Sequence, residues 1–205
     1  MIKFITTLLA LFMFSTSYAK EVKVGIILGF TGPIESLTPG MAAGAELAFN
    51  EASDSGALLG GSTVSSIRAD STCIDSAAAA SAAEFLISQG VTAIMGADCS
   101  GVTGAVLSNV AVPNGVPMIS PSATSPALTT AEDNGLFFRT APSDARGGEV
   151  LADITNDRGI TSVAITYVNT DYGVGLADVY EAAANARGIE AVSYTHLTLP
   201  TIYSV

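Results

Sequence analysis

The sequence predicts an α/β protein: one lobe built on a doubly wound parallel sheet, followed by the start of a second α/β lobe. Three observations carry that expectation. Short apolar runs alternate with stretches of helical periodicity, the pattern of a parallel sheet with crossover helices. Small polar residues collect just after the apolar runs. The alternation breaks at residues 140–143 and then restarts.

The elements follow in order. Residues 22–30 are apolar enough for a strand buried on both faces. Thr38 reads as a helix N-cap with Pro39 at the first helical position. Met41, Ala45, Ala48 and Ala52 then form one helical stripe. Residues 64–70 read as a second strand. Asp75 or Ser76 caps a helix that runs through Gln89, with Ala79, Ala82, Ala83 and Leu86 inward and Gly90 as its stop. Residues 91–97 are the third strand, and a helix through Val102, Val106 and Val110 follows, ended by Pro113. Residues 117–120 are the fourth strand, and a loop containing Pro121, Pro126 and Asp133-Asn134-Gly135 leads to a short strand at 137–139. Beyond Pro142 the sequence predicts a helix at 144–158, a strand at 162–168 and a helix at 174–187.

The two ends read differently from the middle. Lys3, the apolar run 4–14 and Ser17-Tyr18-Ala19 have the form of a cleaved signal peptide over residues 1–19, too short and wrongly flanked for a membrane span. Export to the periplasm and a soluble mature chain from about Lys20 are expected, without a lipid anchor. Residues 192–205 resemble a translated reading frame of a sequencing-library adapter and are expected to be non-native. The expected organisation is therefore a first lobe over 20–141, the cut-off start of a second lobe over 142–191, and the tail.

Composition narrows the function classes. Asp and Glu number 19 against 8 Lys and Arg, a formal net charge of -11, so no nucleic-acid partner is expected. The single His, His196, lies in the suspect tail, so no Ser-His or Cys-His pair can be built from the rest. There is no Gly-x-Ser-x-Gly elbow and no phosphate loop, and the spacing of Gly25, Gly29 and Gly32 is wrong for a dinucleotide fingerprint. Neither an enzyme nor a resident cofactor or metal is expected.

Positive signals lie at the carboxyl ends of the strands, where doubly wound sheets bind ligands. Cys73 and Cys99 follow the second and third strands at the same edge. In an oxidising compartment they are expected to close a disulfide contributing about 3.5 kcal/mol in the chain-entropy model; two buried thiols are the alternative. Ser100 stands where a helix begins, with free amides and the positive end of its dipole, and Ser122 and Thr124 face the same crevice. Ser at a helix start is also an ordinary N-cap.

Several strings then occur in order: Gly-Phe-Thr-Gly-Pro at 29–33, Gly-Ala-Glu-Leu-Ala at 44–48, Asp-Cys-Ser-Gly at 98–101, Pro-Met-Ile-Ser-Pro-Ser-Ala-Thr-Ser-Pro at 117–126, Phe-Arg-Thr at 138–140 and Asp-Tyr-Gly-Val-Gly-Leu-Ala at 171–177. Together, over residues 22–191, they resemble the periplasmic leucine/isoleucine/valine-binding proteins of ABC transporters. That resemblance implies a type I periplasmic-binding-protein fold whose lobes hinge shut on a solute, and a Cys73–Cys99 disulfide. It implies that Ser100 and the Ser122, Ala123 and Thr124 turn hold the α-carboxylate and amino group of an amino acid. Tyr172 would close on the ligand from the second lobe, and Leu37 stands where several members carry an aromatic residue lining the side-chain pocket. A permease of the inner membrane is the implied partner and a monomer the implied state. The rival from another class is a sensor or regulator domain of the same fold.

Overall fold

A computed structural model describes residues 20–197 of the chain. The expected signal peptide, 1–19, and residues 198–205 of the expected tail lie outside the described residues. The first unit contains β1 Glu21–Leu28, α1 Thr38–Asp54, β2 Thr63–Asp70, α2 Ser76–Ser88, β3 Ala93–Gly96, α3 Ser100–Val106, α4 Val112–Asn114, β4 Met118–Ser120 and β5 Phe137–Arg139. A π turn, Leu107–Ala111, joins α3 to α4 without interrupting the helical course. The second unit contains α5 Asp144–Asp157, β6 Ser162–Val168, α6 Asp171–Asn185 and β7 Glu190–Leu197.

The first sheet has the order β2-β1-β3-β4-β5, and every pair in it is parallel. Alternation along β1 explains why both faces are covered. Ile26 and Leu28 pack with Ala42, Met41, Ala45 and Phe49 of α1. Ile27 faces the other way and joins Ala79, Ala83 and Leu86 of α2 with Val102, Val106 and Val110. A run apolar on both sides is what a parallel strand between two helix layers requires. The strand order reverses direction between β1 and β3, so the crevice of the switch point opens beyond their carboxyl ends. Gly96 ends β3 at φ 127, and a Cβ there would lie 2.0 Å from the Ile27 carbonyl oxygen. Only glycine lets the two central strands approach so closely at the crevice floor.

Four details depart from the sequence expectations. Leu37, not Thr38, is the N-cap of α1, and it makes no side-chain capping bond. The Thr38 hydroxyl is buried and donates instead to the carbonyls of Gly29 (3.1 Å) and Glu35 (3.4 Å), pinning the helix start to the end of β1. Ala48 is exposed, and the inner stripe of α1 runs through Ala42 and Phe49. Pro113 does not end the helix, which continues to Asn114 and stops at left-handed Gly115. The π turn makes this possible: Val112 donates to Leu107, and this wider turn relieves the clash between a proline ring and the preceding turn. Finally, α6 begins at Asp171 rather than 174, because the Thr170 hydroxyl accepts the Gly173 amide and caps the helix.

In the second unit β6 and β7 pair in parallel. Its small core joins Ala152, Ala184 and Ile189 to Val163 and Tyr180. The register slips once, with Val163 opposite Ala191 and Ala164 opposite Ser193, so Val192 is the extra residue of a bulge.

Candidate ligand-binding site

The loop after β1 builds one wall of the crevice. Asp70, at the end of β2, accepts from the Thr31 hydroxyl (2.6 Å), the Thr31 amide (3.3 Å) and the Thr72 amide (2.8 Å), which fixes the turn of that loop. Thr38 ties down its far end. Between those anchors Pro33, Ile34 and Leu37 face the crevice, and Leu37 is 59% exposed.

The floor comes from the loops after β2 and β3. Cys73 and Cys99 are joined, with S–S 1.99 Å and Cα–Cα 5.3 Å, as the sequence led us to expect. The bridge holds a loop in which both Thr72 (φ 57) and Cys73 (φ 68) are left-handed, a conformation that costs free energy for residues with a side chain. Asp98 is 3% exposed. Its carboxylate accepts from the Gly29 amide (2.6 Å), the Ser71 hydroxyl (3.2 Å) and the Cys99 amide (3.0 Å), so one side chain gathers the ends of β1, β2 and β3. Ser100 begins α3 and is buried, and its hydroxyl oxygen accepts the Ser125 amide at 3.2 Å.

The loop after β4 turns on Ser120. Its buried hydroxyl donates to the Ala97 carbonyl and accepts the amides of Ser122 (3.4 Å) and Ala123 (3.0 Å). The Ser122 hydroxyl donates to the Asp98 carbonyl at 2.9 Å. Arg139, at the end of β5, donates to the carbonyls of Ala123 and Ser125 and to the Thr129 hydroxyl, holding the rest of the loop. The opposite wall is the end of β6 and the first turn of α6, residues 168–172.

Together these walls enclose a cavity of about 730 Å³. Six residues singled out in the sequence line it: Leu37, Cys73, Cys99, Ser100, Ser122 and Tyr172. Ala123 and Thr124 do not. Ala123 is fully buried with its amide spent on Ser120, and the Thr124 carbonyl accepts the Asp144 amide at the start of α5. Ile34, Met41, Ile74, Asp98 and Asp171 also line the cavity and were not singled out as ligand contacts. Asp98 and Asp171 each left a sequence signal, a carboxylate shortly after a strand end.

The sequence model of the periplasmic binding protein family matches residues 21–201. The chain belongs to that family. Among curated periplasmic binding proteins, it is 33% identical over 187 residues to the Leu/Ile/Val-binding protein homolog 3 of Brucella melitensis, covering 90% of this chain and 49% of that protein. Two solved structures superpose well. The ABC transporter substrate-binding protein of Desulfitobacterium hafniense in complex with Leu gives a TM-score of 0.70 at 28% identity, over 88% of this chain and 52% of that one. LivJ, the branched-chain amino acid transporter substrate-binding protein of Streptococcus pneumoniae in complex with isoleucine, gives 0.74 at 27% identity, over 87% and 50%. The fold is thus the type I periplasmic-binding-protein fold, and this chain spans about half the length of the relatives it matches.

Proposed function

We propose that the native protein carrying this sequence is a periplasmic solute-binding protein that captures a branched-chain or related amino acid and delivers it to an ABC-transporter permease. The observation that carries this reading is the cavity itself: Ile34, Leu37, Met41 and Ile74 line it together with the hydroxyl-bearing Ser100 and Ser122. An aliphatic side chain gains by leaving water against such a wall, about 25 cal/mol per Å² of apolar surface. Hydroxyls and main-chain amides hold a carboxylate without a cationic side chain. In this reading Ser100 and Ser122 contact the polar end of the ligand and Tyr172 covers it from the second lobe. For Ala123 and Thr124 a ligand role rests on the family resemblance alone. We further propose export through residues 1–19, lobes divided near 141, and a monomer that closes by hinge motion. No observation favours the sensor alternative.

A thermal-shift and calorimetric screen of amino acids on the native protein tests the proposal. Leucine, isoleucine or valine is expected to raise the melting temperature, by the equivalent of about 2.7 kcal/mol at a hundredfold excess over Kd. Ser100→Ala is expected to weaken that ligand about tenfold, a lost hydrogen bond to a charged group. A protein that responds to no amino acid would overturn the proposal.

A further inference from the structure

Asp98, which gathers the strand ends, is also one of the residues that line the cavity. The residue is buried, and its carboxylate is held by neutral donors: the Gly29 amide, the Ser71 hydroxyl and the Cys99 amide. Among the described residues Arg68 pairs with Glu46, Arg146 with Glu149 and Arg187 with Asp153, and none of these side chains lines the cavity. The facing wall adds a second carboxylate, Asp171, whose Oδ2 lies 3.5 Å from where a Cβ on Gly101 would stand. Neither Lys, Arg nor His is among the lining residues. Neutral hydrogen bonds stabilise a carboxylate without cancelling its charge. In a crevice walled by low-dielectric protein that charge is felt by anything bound there.

We propose that Asp98, with Asp171 opposite, sets the charge selectivity of this site, admitting ligands that bear an ammonium group and rejecting carboxylic acids that lack one. The inference rests on the amino-acid-binding reading and deepens it. The ammonium of a zwitterion offsets the repulsion that the ligand's own carboxylate meets from the wall. A simple aliphatic or aromatic carboxylate has no such offset. A purely architectural Asp98 would behave differently, since loosening Gly29, Ser71 and Cys99 would weaken every ligand alike.

The test compares leucine with 4-methylpentanoate, the same skeleton without its ammonium, by calorimetry on the native protein. The unsubstituted protein is expected to prefer leucine by at least about a hundredfold, and Asp98→Asn to reduce that ratio about tenfold or more. Asp171→Asn, at an exposed side chain, is expected to reduce it in the same direction by a smaller factor, and it decides the matter should Asp98→Asn fail to fold. Equal weakening of both ligands, or an unchanged ratio in the variants, overturns the inference while leaving the amino-acid reading intact. Failure of the unsubstituted protein to bind any amino acid removes both.

Discussion

At the residue scale, Asp70 shows how one side chain controls the shape of a wall. Burial pushes its carboxyl upward, but hydrogen bonds from the Thr31 hydroxyl and from the amides of Thr72, Thr31 and Phe30 outweigh that and hold it below the usual carboxylate range. A depressed folded-state value means that the unfolded chain takes up the proton first as pH falls. The stabilisation is therefore present above the unfolded value, about 4, and is lost as pH drops through the folded one. Melting temperature followed from pH 6 to pH 2 is expected to fall along this limb, and Asp70→Asn to lower the neutral-pH plateau and flatten the limb. An identical limb in the variant would assign the acid sensitivity elsewhere. What the sequence disclosed at this scale followed a simple rule. Cys73, Cys99, Ser100 and Ser122 were legible because strand ends and helix starts locate them directly. The positions of Asp70 and Asp98 at strand ends were legible too, but their work of gathering loops was not, because their partners are amides and hydroxyls from other loops, and nothing local in the sequence shows which loops meet. The inward turn of Ala123 was hidden for a related reason: Ser120 accepts its amide through a hydroxyl that any serine could have left unused.

At the scale of elements, the helical segments were legible in place, and the inner face of α2 with them, but the stripe of α1 and several helix ends were not. The cap read at Asp75 located the start of α2, and α5 begins where the break after Pro142 placed it, with Ser143 accepting the Ala145 amide. The start of α6 was hidden by Gly173 and Gly175, which break helical patterning but here serve close packing. Packing also governs the crossing of α5 and α6. A Cβ on Gly148 would lie 2.6 Å from Val179 Cγ2 and 2.9 Å from the Tyr180 backbone nitrogen, so the two helices touch at bare backbone. Nearby, the Thr155 and Tyr180 hydroxyls lie 3.1 Å apart, and Arg187 pairs with Asp153. Gly148→Val is expected to force the helices apart and cost about 1–3 kcal/mol, read as a lower denaturant midpoint with an unchanged slope. Wild-type stability in that variant would mean that the crossing is looser than described.

At the scale of the whole molecule, the faces of the first sheet are unequal. Its α2 side carries the larger core, whereas on the other side β4 and β5 present Ile119 (44% exposed) and Phe138 (56% exposed). A shallow apolar hollow among Val24, Phe49, Met95 and Ile119 continues that surface. Exposed apolar area of this kind binds hydrophobic dyes and favours self-association. The 205-residue chain on its own is expected to enhance the fluorescence of such a dye and to show no micromolar affinity for amino acids. Micromolar binding by this chain would show that the crevice needs no further protein. The fold class was legible at this scale because alternation of strands and helices is a property of the whole string. Residues 192–205 remain a proposal of foreign origin, which amplification of the gene across codon 192 tests directly: a native frame encoding the same residues would end it.

The π turn of residues 107–111 has a consequence for aligning this chain with its relatives. A π turn spends one residue more than an α turn on nearly the same advance, so homologues whose helix is regular there should be one residue shorter between the positions of Ser100 and Gly115. The gap belongs inside the helix, not in the flanking loops, and a shortened relative should also lack the proline at 113, which a regular helix would not accommodate.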